Sequence, residues 1–125
     1  MKIKKISNLY FILWLLVIIS VSSIPHLKAP GPDKIGMDKF YHFSEYFILG
    51  IIFLKSVYFS VDRRKVHLLV IFMFIFPILD ELHQHLIPGR QCSFYDIIAD
   101  TLGLLIPFLV AKYIHFKTIH HEKLN

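Results

Sequence analysis

Between Asp80 and Gly103 the sequence reads D-E-L-H-Q-H-L-I-P-G-R-Q-C-S-F-Y-D-I-I-A-D-T-L-G. Asp80, Glu81, His83, Gln84, Arg90, Asp96 and Asp100 are packed there between two strongly apolar runs. Ionisable groups beside a segment of hydrocarbon length are costly, so they are either paired or functional. Carboxylates and imidazoles can move protons or hold a divalent cation. A guanidinium grips phosphate or carboxylate through two parallel N–H bonds. A second polar group lies upstream. Asp38, His42 and Glu45 recur at i, i+4 and i+7 and so share one helical face. Asp96, Asp100 and Gly103 have the same spacing.

The elements that must position these groups are apolar and long. The 125 residues are 55% hydrophobic with a mean hydropathy of +0.57, which places the chain in a membrane class. Four helices are expected at roughly 6–25, 39–59, 66–86 and 95–115, forming a single all-α domain over 1–125. The first run is uncharged from Ile6 to Leu27. Its basic start and the small residues Val21-Ser22-Ser23 also fit a signal peptide, but the run is long for a signal core and reads as a retained helix. Pro30, Gly31, Pro32 and Gly36 mark a loop from His26 to Lys39, and Val61 to His67 reads as a short charged turn. Pro77 should kink the third helix. Ser93 or Asp96 can cap the fourth, and Ala99 with Gly103 allows a close helix approach. The tail from Phe116 is polar, and His120 and His121 read as solvated.

Four spans put both termini on one side. The termini and second loop carry ten Lys and Arg, against four in the first and third loops, so the termini are expected in the cytoplasm. The acids sort the other way: seven of nine lie on or near the outer side. The net charge of +5 is thereby explained by topology, and no nucleic-acid partner is expected. Both polar groups then meet at the outer leaflet of the cell membrane. The lone Cys92 excludes an internal disulfide, and nothing adjacent activates it.

The stretches H-F-S-E-Y-F-I-L-G (His42 to Gly50), D-E-L-H-Q (Asp80 to Gln84), P-G-R (Pro88 to Arg90) and D-I-I-A-D-T-L-G (Asp96 to Gly103) carry a resemblance. In this order they resemble the VanZ-like family of small bacterial membrane proteins. The resemblance implies that His42, Asp80, Glu81, Gln84, Arg90 and Asp96 are the pattern's polar positions. Asp100 departs from it, since the family usually has asparagine there. The family's founding member is associated with resistance to the glycopeptide teicoplanin, so the resemblance implies an envelope setting more than a reaction.

Each feature also has a plainer explanation. Arg90 with Asp80, Glu81 or Asp96 would form an ion-pair network holding the helices. His42 with Glu45 would be a hydrogen-bonded pair. Asp96 and Asp100, one turn apart, would repel, so one is protonated or Arg90 or a cation sits between them. No cofactor is indicated. A divalent cation is the minority reading, because H-E-x-x-H is absent and His83 and His85 do not share a face. The functional reading gathers Asp38, His42, Glu45, Asp80, Glu81, Gln84, Arg90, Asp96 and Asp100 into one extracytoplasmic site, with membrane lipids as partners. That site would bind an anionic head group or wall precursor. The alternative is a membrane-embedded hydrolase or transferase acting on a lipid-linked phosphate, with Asp80 or Glu81 as base, His42 as acid and Arg90 as clamp. A proton-coupled transporter is disfavoured, because 51–54 and 104–111 hold no ionisable group.

Overall fold

The computed structural model describes residues 2–28, 35–58 and 63–124, with side chains over 8–28, 36–57, 64 and 66–114. Pro30, Gly31 and Pro32 of the first loop and Asp62 of the second lie outside the described residues. Four helices follow one another: α1 (Lys2–Ser22), α2 (Ile35–Tyr58), α3 (Arg63–His85) and α4 (Phe94–Leu124). No strand occurs among the described residues.

The helix ends depart from the sequence expectation where polar residues still favour helix. α4 runs to Leu124 instead of about 115, because 116–124 contains neither Pro nor Gly to break the hydrogen-bond ladder. α3 starts at Arg63, inside the segment expected as a charged turn, since Arg and Lys are good helix formers. α2 starts at Ile35 and takes Gly36 out of the expected loop. Its first turn holds Asp38, whose charge complements the helix N-terminus. α1 extends from Lys2 and stops at Ser22, before Pro25. Pro77 and Pro107 are accommodated inside continuous α3 and α4.

Two stretches, Val66–His85 and Phe94–Ile114, are long and apolar enough to cross a membrane, and Asn8–Ser22 is a shorter apolar segment. Twenty helical residues rise about 30 Å, the thickness of a bilayer core. The outward faces carry large apolar side chains such as Leu68, Ile71, Leu86, Phe94 and Leu109.

The α2–α4 pair makes the most extensive contact, with α1 against α2 and α3 against α4. Glycine makes that contact possible. A Cβ on Gly103 would lie 2.5 Å from the Phe43 carbonyl oxygen and 3.0 Å from the Phe47 nitrogen. One turn on, a Cβ on Gly50 would meet Pro107 Cγ at 3.1 Å. The backbones touch with no side chain between them, as small-residue interfaces allow. Ile18, Tyr46, Leu49, Phe53, Met73, Phe76 and Leu104 form the buried core beside this contact. Phe53 lies between Phe11 and Phe108, each with ring centroids 5.6 Å away.

Replacing Gly103 with Ala should destabilise the bundle by about 1–3 kcal/mol through overpacking against backbone that cannot yield. Gly36→Ala, which meets nothing within 4 Å, should leave the melting temperature unchanged or slightly higher. Thermal melts of both variants in detergent test this; equal midpoints would refute the close α2–α4 packing.

Candidate functional site

Helix periodicity puts Lys39, His42 and Tyr46 on the face of α2 that meets the start of α4 and the end of α3. Each finds a carboxylate there. Lys39 Nζ donates to Asp96 Oδ1 and, at 2.9 Å, to Asp38 Oδ2. His42 Nδ1 lies 3.1 Å from Asp100 Oδ1, while its Nε2 is 3.9 Å from Asp96 Oδ2. Tyr46 Oη donates to Asp80 Oδ2 at 3.0 Å. Glu81 takes its partner from the backbone: the Ser93 N–H donates to Oε1 at 2.5 Å. Ser93 occupies the position just before α4, so Glu81 bonds the chain at the mouth of that helix.

Gln84 links two sides of the site. Its Nε2 donates to Asp80 Oδ2 at 3.2 Å and to Ser22 Oγ at 3.3 Å, and its Oε1 accepts from Arg90 Nη2. Arg90 Nη1 reaches the Leu27 carbonyl at 3.3 Å. The turn that presents Arg90 is fixed from α1. The His26 N–H donates to the Pro88 carbonyl at 3.0 Å, and Gly89, at φ +76°, leaves no room for a Cβ against the His26 ring. His83 stays apart and bonds Ser23 Oγ at 2.9 Å.

His42, Asp80, Glu81, Gln84, Asp96 and Asp100 are all buried. Asp38, Glu45 and Arg90 are half-buried at the edge. They border an open cavity of about 360 Å³ whose wall also includes Trp14, Leu27, Lys28 and Ile48. Glu45 is anchored through its backbone, where its carbonyl accepts from Trp14 Nε1 at 3.1 Å. Cys92 is exposed in the α3–α4 loop. Local desolvation, then the charge of Glu81, holds its thiol above the usual range, so it is not an activated nucleophile.

The partners differ from the sequence expectation in two places. Arg90 makes no ion pair with Asp80, Glu81 or Asp96. It projects towards α1, whereas Asp96 faces α2; among the described residues no carboxylate oxygen lies within 4 Å of its guanidinium. His42 hydrogen-bonds across to α4 instead of pairing with Glu45 on its own helix. Arg90 does not sit between Asp96 and Asp100: Lys39 bonds Asp96, and the His42 ring reaches both, 3.1 Å from Asp100 Oδ1 and 3.9 Å from Asp96 Oδ2. Lys39 and Tyr46 are the residues that sequence reasoning missed. Lys39 was counted as a loop base, although its place beside Asp38 at the head of an acid-facing helix was a usable signal. Tyr46 was hidden among twelve Phe and six Tyr.

Removing the half-buried Lys39 strands the buried Asp96. Lys39→Met should therefore cost about 1–3 kcal/mol, and Asp96→Asn in the same chain should recover most of it. Unfolding of the single and double variants measures the coupling; an unchanged Lys39→Met melt would contradict the pair.

The VanZ/LLP1 family model matches residues 3–116. No curated protein and no solved structure matches the chain. The match takes in α2 and α3 whole, α1 from residue 3, α4 as far as residue 116 and every residue of the polar cluster, and on that basis the chain belongs to the VanZ/LLP1 family.

Proposed function

We propose that this VanZ-family protein is a multi-pass membrane protein of the cell envelope, both termini cytoplasmic, whose extracytoplasmic cavity binds an anionic head group. The ligand would be a membrane lipid or a lipid-linked wall precursor. The observation that carries the reading is Arg90. Its guanidinium is held by two neutral acceptors, Gln84 Oε1 and the Leu27 carbonyl, at the wall of an open cavity. Among the described residues no contact ion pair cancels this cation, although Asp38 and Glu45 share the cavity wall, and its fork suits phosphate or carboxylate. Lys28 adds a second positive charge, while Trp14, Leu27 and Ile48 offer an apolar wall to an attached chain. The ten-to-four split of basic residues supports the orientation. A link to glycopeptide resistance would follow from occupancy of wall-precursor head groups at that surface.

Hydrolysis of a lipid-linked phosphate is the second reading, favoured by His42 at the cavity wall with Asp100 behind it. The proposed bases fit it less well. Asp80 is engaged by Tyr46 and Gln84, Glu81 by Ser93, and neither is among the residues that line the cavity. Binding is therefore preferred.

Native mass spectrometry of the purified protein with phosphatidylglycerol and with diacylglycerol tests the proposal. The anionic lipid should be retained preferentially. Arg90→Lys should weaken it about tenfold, the value of roughly 1.4 kcal/mol, while the melt stays within a degree or two of wild type. Equal retention of both lipids, or a melt depressed in step with binding, would make Arg90 a structural residue.

A further inference from the structure

The buried charges of the cluster do not balance with the partners so far named. Asp96 is matched by Lys39, and Asp80 receives two neutral donors on Oδ2. Glu81 and Asp100 are both 0% exposed. Each has one carboxylate oxygen, Glu81 Oε2 and Asp100 Oδ2, that is fully buried with no hydrogen-bond partner among the described residues; Asp80 Oδ1 is a third such oxygen, but Asp80 already receives two donors on its other oxygen. Buried carboxylate oxygens left without donors are costly, and native proteins seldom leave them so.

These two side chains converge with His42. One ligand atom from each of His42, Glu81 and Asp100 lies within 4.8 Å of the others, and all three residues are buried. Ligand atoms on one octahedral ion are spaced about 3 to 4.2 Å apart, so modest side-chain closure would bring all three into contact with a common centre. A neighbouring trio, Asp38, His42 and Asp96, has similar spacing, but the Lys39 ammonium already bonds both of its carboxylates. That position is filled by an ammonium of the chain's own; the Glu81–Asp100 position has only the His42 ring, 3.1 Å from Asp100 Oδ1.

We propose that His42, Glu81 and Asp100 hold one divalent cation of the Mn²⁺ or Zn²⁺ class. The donor set decides the class. One imidazole nitrogen with two carboxylates is harder than a thiolate site and softer than an all-oxygen calcium cage. Two positive charges would neutralise Glu81 and Asp100 together and satisfy the orphaned oxygen of each. The ion would tie α2, α3 and α4 together, one ligand from each. It would sit behind the cavity wall that includes His42, deeper than Arg90. The proposal rests on the orphaned oxygens and stands apart from the anion reading, which rests on Arg90.

The test uses the metal alone. The full chain is purified in detergent with any affinity tag removed, in a His120→Ala/His121→Ala background that removes the adjacent tail histidines. It is stripped with chelator, loaded with Mn²⁺ or Zn²⁺, desalted and assayed by elemental mass spectrometry. About one equivalent of at least one metal should be retained, and Glu81→Gln and Asp100→Asn should each lower retention at least tenfold. Asp38→Asn should change it less than twofold. Retention below about a tenth of an equivalent in wild type would overturn the site in favour of a proton shared between Glu81 and Asp100. Retention undiminished in both variants would overturn it too. Should either variant fail to fold, the electron–nuclear spectrum of the Mn²⁺-loaded wild type decides: nitrogen coupling from one imidazole is expected, and its absence refutes His42 as a ligand.

Discussion

A carboxylate taken out of water must be given a partner, and this constraint organises one end of the molecule. Asp80, Glu81, Asp96 and Asp100 are all buried there, contributed by α3 and α4. Three of their partners come from one face of α2: Lys39 for Asp96, His42 for Asp100 and Tyr46 for Asp80. α2 is thus the donor helix and α4 its main counterpart. The glycine contact at Gly103 follows from the same demand. His42 and Tyr46 can reach carboxylates on their neighbours only if the helices approach closely, and a side chain at Gly103 would hold α2 and α4 apart. Packing and polar pairing are two statements of one geometry.

The same geometry separates two chemistries within one site. On the α4 side, buried carboxylates and an imidazole are interlocked with the half-buried Lys39 ammonium. On the α1 side, Arg90 is braced by neutral oxygens and lies at the edge of an open cavity. Gln84 is the hinge between them, since it donates to Asp80 and accepts from Arg90. Gln84 therefore orients the guanidinium without neutralising it. A carboxylate at position 84 would pair with Arg90 and cancel the charge that an anionic ligand needs.

Much of this was legible in the sequence, because polar residues at fixed helical spacing inside apolar runs leave few arrangements open. The faces Asp38-His42-Glu45 and Asp96-Asp100-Gly103 followed from the 3.6-residue period, and the closeness at Gly103 followed from residue size. What was not legible was partner choice. Arg90 lies in a turn whose direction is set by His26 and Gly89, 63 residues apart in sequence but packed together. Periodicity says nothing about a turn, so the assumption that a base seeks the nearest acids failed. Lys39 was overlooked for the opposite reason. It ends a Pro- and Gly-rich stretch that reads as loop, and only the helix start at Ile35 carries it onto the face that meets Asp96. The helix ends differ because helix does not require apolar residues: residues 116–124 are polar and helical at once.

The account depends on the charged end of the bundle facing outward, and the chain carries its own reporter for that. Cys92 is the single cysteine, is exposed, and lies in the α3–α4 loop beside Glu81 and Arg90. A membrane-impermeant maleimide applied to right-side-out vesicles should label it before the membrane is opened, with Cys92→Ser as the blank. Labelling confined to inverted or permeabilised vesicles would place the cluster on the cytoplasmic side and contradict the account.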